Sequence, residues 1–300
     1  MRVSTNTLYD QSTRAMLQQQ GSLFKLQQQL ASGKRIMTPS DDPIGAARAH
    51  ELSQSLSLNT QYADNRNRAM DNLQQTESTL GNITNVIQNI RTMAVAAGNP
   101  AFSDSERHMM AVELRGHFEE LLGLANTKDE QGNYLFSGFK GNTQPFVIDQ
   151  TNNSVAYKGD DGQRLIQVSG SRQLPVSETG DAIFEPGGQS LFTTVGDFVT
   201  ALETTGGIPN GAVDTALQEL DAALDNVLSK RAAIGSRMQE VDALQQIGED
   251  IAVQYQQTLS RLQDLDFAQA ISDMMRQQTL LEAAQQTFTS VSQLSLFNKI

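Results

Sequence analysis

Residues 43–100 read PIGAARAHELSQSLSLNTQYADNRNRAMDNLQQTESTLGNITNVIQNIRTMAVAAGNP. Apolar side chains recur at steps of three, four or seven residues and their sums, through Leu52, Leu56, Ala63, Met70, Leu73, Leu80, Ile83, Ile87, Ile90 and Ala94. That period belongs to one face of an α-helix. Asp42 stands where an N-cap belongs, and Pro43 suits the first helical position, whose N–H has no helical partner. Nothing breaks the pattern before Gly98 and Pro100. The stretch predicts one helix of about 55 residues, roughly 80 Å long at 1.5 Å per residue. A helix of that length predicts a rod.

Working outward, the flanks repeat the theme. Tyr9, Met16, Leu23 and Leu30 lie seven apart with Leu26 beside them, a two-stranded seam that should end near Ser32-Gly33. Ser103 and Glu106 form a capping box opening a third helix with Met110, Leu114, Phe118, Leu121 and Ala125. Beyond residue 211 heptads return through Leu217, Leu220, Leu224, Val227, Ile234, Met238, Val241, Ile251, Tyr255 and Leu262, weakened locally by Gly235 and Gly248. A last helix carries Ile271, Met274, Leu281, Phe288 and Val291.

The middle has a different grain. Thirteen of the 22 glycines and four of the seven prolines lie between Gly132 and Gly211. The short runs 146–148, 154–157 and 165–168, separated by Asn152-Asn153 and Asp161-Gly162, predict an antiparallel meander. Residues 195–202 predict a short helix. The expected fold is mainly α with a small β domain: a long antiparallel helical rod from both chain ends and a β-rich insertion at its distal tip. The expected parts are 1–42 with 264–300, 43–140 with 201–263, and 141–200. Pairing of the chain ends follows from their apolar seams, neither of which is stable alone in water. Charge favours it: five bases against one acid in 1–40 give +4, and two bases against four acids in 264–300 give -2.

Composition narrows function. There is no cysteine, so disulfide, thiolate-metal and cysteine-nucleophile chemistry are excluded. A net charge of -12 opposes nucleic acid or an anionic membrane as partner. No secretory signal pattern opens the chain, and no apolar run approaches bilayer length. His108 and His117 are nine apart, on roughly opposite helix faces, and His50 stands alone. Asp41-Asp42 reads as a cap, and Asp149 and Asp160-Asp161-Gly162 as turn chemistry, since calcium-loop spacing is missing. No phosphate-loop, dinucleotide or nucleophile-elbow string occurs. The residues therefore predict no enzyme, no cofactor and no metal. Met70, Met93, Met109, Met110, Met274 and Met275 read as core filling or as a contact that must re-pack.

Five strings resemble the flagellin family of bacterial flagellar proteins, and more its hook-associated junction members than filament flagellin. They are ASGKRIMTPSDDPIGAA (31–47), ANTKDEQGNYLFSGFKGNTQPF (125–146), RAAIGSRMQEV (231–241), DLDFAQAI (264–271) and LSLFNKI (294–300). GNYLFSG is the most specific. The resemblance implies a structural subunit of the flagellum, at the junction between hook and filament and a platform for flagellin assembly. It implies export through the flagellar type III apparatus without a cleaved signal, and an extracellular position. The implied partners are further copies in a ring, the preceding hook-associated protein, flagellin, and a cytosolic export chaperone at the C-terminal helix. Met16, Leu23, Leu26, Leu30, Ile271, Met274, Leu281, Phe288, Val291 and Leu296 are the expected assembly interface. The alternatives are filament flagellin and, in a different class, a cytosolic signalling coiled coil.

Overall fold

A computed structural model describes residues 5–149 and 154–297. Seven α-helices and four strands are described. They are α1 (Thr5–Ser32), α2 (Pro43–Ala97), α3 (Asp104–Ala125), β1 (Phe146–Asp149), β2 (Ser154–Tyr157), β3 (Leu165–Ser169), β4 (Arg172–Pro175), α4 (Gly180–Phe184), α5 (Leu191–Leu202), α6 (Ala212–Gln263) and α7 (Phe267–Phe297). The protein is mainly helical with a small antiparallel β region in the middle of the chain.

The local signals act where the residues place them. The Gly45 N–H donates to Asp42 Oδ1 at 2.9 Å, so Asp42 caps α2 ahead of Pro43. Ser103 and Glu106 cap each other's backbone at the start of α3. The β region departs from a single meander. β1 pairs with β2, and β3 with β4, as two separate hairpins with a register shift between Gln167 and Ser169. β4 and α4 carry too few periodic residues to be seen in the pattern. The Asn152-Asn153 turn lies outside the described residues.

The contacts divide the chain into two units, 1–58 with 250–300, and 59–249. This differs from the three-part division expected. Residues 141–200 have no core of their own. Phe146, Val168, Leu174, Phe184 and Phe192 join Leu80, Ile83, Ile87, Leu114, Val227 and Ile234 in one buried cluster. Four aromatic rings knit it: Phe146 meets Phe184 and Phe192 at 5.0 Å, and Phe136 meets Phe184 at 5.9 Å. Two hairpins of two strands cannot bury both faces alone, so they borrow the helices' apolar surface.

Candidate assembly surfaces

In the first unit the connector between α1 and α2 is tied down by polar groups. Gly33 turns the backbone at φ 68°, a left-handed value that glycine adopts without cost. The Arg35 N–H donates to the Gln263 carbonyl at 2.6 Å, and the Leu265 N–H to the Gly33 carbonyl at 3.0 Å. Arg35 reaches Asp42 and the Leu262 carbonyl. Asp41 receives the N–H groups of Met37 and Thr38 and a 2.7 Å contact from Lys25. Only Asp42 of the acidic pair caps the helix, and Asp41 closes the loop. The Lys25 ammonium and then the two N–H groups hold the Asp41 carboxyl well below its ordinary value.

α1 and α7 pair antiparallel. Tyr9 stands edge-on to Phe288 at 5.4 Å and Gln19 bonds Gln277, while the backbones of Lys34 and Asp264, just outside the two helices, meet in an isolated antiparallel β-bridge. Half-buried residues recur on α1 at 9, 12, 16, 19, 23, 26 and 30, and on α7 at 274, 277, 281, 284 and 288. This alternation of three and four is a heptad seam. Met16, Leu23, Leu26, Leu30, Met274, Leu281 and Phe288 therefore line one face of each helix. Ile271 does not: it is 41% exposed, and Ala270 beside it, 4% exposed, takes the inward position. The side chains of Val291 and Leu296 lie outside the described residues.

A second apolar stripe faces outward on each helix. On α1 it is Leu17 and Phe24, 62% and 60% exposed. On α7 it is Phe267, Ile271 and Met275, each four residues after the last. Sequence reasoning assigned one seam per helix, placed Ile271 on it, and did not single out Leu17, Phe24 or Phe267 as contact residues. The signal was present, because Leu17 and Phe24 are themselves seven apart and one residue past Met16 and Leu23.

In the second unit GNYLFSG organises the join between α3 and the hairpins. Asp129 accepts the N–H groups of Gln131 and Asn133 at 3.0 and 2.8 Å, folding the loop before it. Leu135 and Phe136 enter the core, and Gly138 turns at φ 72° against Asp160. Asp160 Oδ1 accepts the N–H groups of Phe139 and Gly162, which lowers its pKa, so it is a turn residue as expected. The Tyr157 hydroxyl sits 3.0 Å from the Phe136 carbonyl, and burial pushes its pKa up to about 12. Glu178, nearly inaccessible, is held by Arg237 at 2.7 Å and Lys230 at 3.3 Å on α6. His108 lies 3.7 Å from Glu203, and His117 3.2 Å from Glu120. No group of three or more histidine or acidic residues suited to a metal ion occurs among the described residues. Nor is any described helix long and apolar enough to cross a membrane.

The comparisons bear on the kind of protein this is. The model of the bacterial flagellin N-terminal helical region matches residues 3–141. Flagellar hook-associated protein 3 of Escherichia coli K12 is 35% identical over 99% of both chains. The chain belongs to the flagellar hook-associated protein 3 family. It is a flagellin-like structural component of the bacterial flagellum, and its named relatives are structural proteins. Solved structures share the fold. A flagellar hook-associated protein from Vibrio parahaemolyticus has TM-score 0.70 at 22% identity, over 75% of this chain and 100% of that one. The flagellar junction protein FlgL from Legionella pneumophila has TM-score 0.63 at 21% identity, over 72% and 100%. In this chain three of the quoted strings mark joints: 31–47 the polar connector, 125–146 the aromatic join, and 264–271 the entry to α7.

Proposed function

We propose that this protein forms the junction between hook and filament and is the platform on which flagellin assembles. Similarity to hook-associated protein 3 along nearly the whole chain, at 35% identity, carries this reading. The outward stripes of α1 and α7 support it, since apolar residues at helical spacing on a paired helix call for a further partner. Further copies in a ring would cover them, between the preceding hook-associated protein and flagellin. Before export, a cytosolic chaperone would shield α7. The subunit would then leave through the flagellar type III apparatus and act outside the cell.

The seam residues Met16, Leu23, Leu26, Leu30, Met274, Leu281 and Phe288 would hold the α1–α7 pair that presents the stripes. Leu17, Phe24, Phe267, Ile271 and Met275 would make the contact between copies. Electron microscopy of a deletion strain tests the role. Hooks without filaments, with flagellin monomer in the medium, are expected. Normal filaments would refute the junction role, and loss of filaments with no flagellin released would favour filament flagellin itself.

A further inference from the structure

We propose that Asn210 is a site of spontaneous deamidation, driven by the backbone nitrogen of Gly211. Asn210-Gly211 is the only Asn-Gly pair in the sequence. It sits in the exposed turn between α5 and α6. The Ala212 N–H donates to the Pro209 carbonyl at 3.1 Å, and Gly211 has φ 82°. Asn210 and Gly211 are thus the two central residues of a β-turn whose third position needs a left-handed conformation.

Three features expose the reacting atoms. Among the described residues no acceptor engages the Gly211 N–H, and no partner holds the Asn210 side chain. Nothing lies within 4 Å of where a Gly211 Cβ would stand, and Asn210 and Gly211 are both exposed, so solvent reaches the turn. The one Asp-Gly pair, Asp161-Gly162, has the same chemistry available but a different environment. There the Gly162 N–H donates to Asp160 Oδ1 at 3.0 Å, which keeps its proton and its direction fixed.

The reaction needs only water. Hydroxide removes the Gly211 amide proton, and the nitrogen attacks Asn210 Cγ. A new N–C bond forms, the bond from Cγ to the Asn210 amide nitrogen breaks, and ammonia leaves. Water then opens the five-membered imide. Cleavage at Cγ gives aspartate, and cleavage at the backbone carbonyl gives isoaspartate. One water is consumed and one ammonia released, with no change in oxidation state. The product carries a new carboxylate in a cleft of about 580 Å³ also lined by Asp104, Asp214 and Arg107, whose Nε is buried without a partner.

The test is peptide mapping by mass spectrometry of the purified full-length protein, incubated at physiological temperature and mildly alkaline pH. The peptide containing Asn210 should convert from amide to acid faster than any other, in proportion to hydroxide, with isoaspartate detectable by enzymatic methylation. Gly211→Ala should slow conversion at least several-fold, and Asn210→Gln should remove the acidic form on isoelectric focusing with helical content unchanged. Even conversion across all the asparagines, or an unreacted Asn210 beside a reacted one elsewhere, would overturn the proposal. So would a rate untouched by Gly211→Ala.

Discussion

Residues 59–249 and the paired segments 1–58 and 250–300 are both built on long helices with heptad-like repeats. In the paired segments, the buried apolar residues among those described are Ile36, Ala49 and Ala270. In 59–249 the buried set runs through Leu73, Leu80, Ile83, Ile87 and Ile90 and takes in the phenylalanines of the middle stretch. The repeat is similar, but the number of sides covered differs. A helix in a two-stranded pair buries one narrow stripe. A helix met by α3, two hairpins and a return helix buries a broad one. Each large side chain fully buried contributes about 1.5–3 kcal/mol, and ordering the backbone costs about 1–2 kcal/mol per residue. Only the second unit has the burial to offset that ordering cost unaided.

The largest effect should come from Ile87→Asp, which places an unpaired charge in the core. It should destabilise 59–249 by more than about 4 kcal/mol and abolish the cooperative melt followed by circular dichroism. A melt near wild type would show that the core is not continuous. Limited trypsin digestion of monomer should cut first at Arg14, Lys25, Lys34, Arg35 and Arg276, then at Arg48 and Arg261, leaving a core that contains 59–249. Strong hydrogen-exchange protection across Leu17–Leu30 in dilute monomer would erase the contrast between the units.

A smaller change sharpens the end of the second unit. Asn59 Nδ2 donates to the Gly248 carbonyl at 2.7 Å, and Arg66 donates to Gln245 and to the Val168 carbonyl. A Cβ on Gly248 would collide with Arg66 Nη2. Gly248→Ala should displace the guanidinium and cost about 1–3 kcal/mol in a denaturant melt, although alanine is the better helix former. A gain in stability would show that Arg66 yields freely.

Phe24→Asp should leave the melt within about 0.5 kcal/mol, as for other surface positions, yet block incorporation into flagella seen by electron microscopy. Phe288→Asp should instead loosen the α1–α7 pair, read as faster exchange in α1 at high protein concentration. Equal behaviour of the two variants would merge seam and stripe.

The least effect is on pH. Asp41 and Asp42 both titrate below their ordinary value of 3.8 in the folded protein, Asp41 chiefly through Lys25 and Asp42 through the Gly45 N–H. Their contribution is therefore complete above 3.8 and is lost as pH falls further. Nuclear magnetic resonance of the connector should show it loosening only in that acid range. Loosening near neutrality would assign it to another group.

Much of this was legible in the residues. The bounds of α2, its cap at Asp42, the capping box at Ser103 and three of the four strands follow from local chemistry, because a cap or a period involves residues a few positions apart. The strings that carried the family resemblance were legible for the same reason. Less legible was the outward stripe, since a heptad pattern marks a seam but not how many sides of a helix find partners.

What the sequence by itself determined is the long helices, the caps that start α2 and α3, and the kind of protein they build. Tertiary structure alone decided that Ala270 rather than Ile271 is the buried one of the two, that the strands form two hairpins sharing the helices' core, and that Glu178 is buried against Lys230 and Arg237. Each of those outcomes depends on groups tens or hundreds of residues away. Periodicity gives a side chain's angle about its own helix, but only the packed neighbour determines which angle is dry.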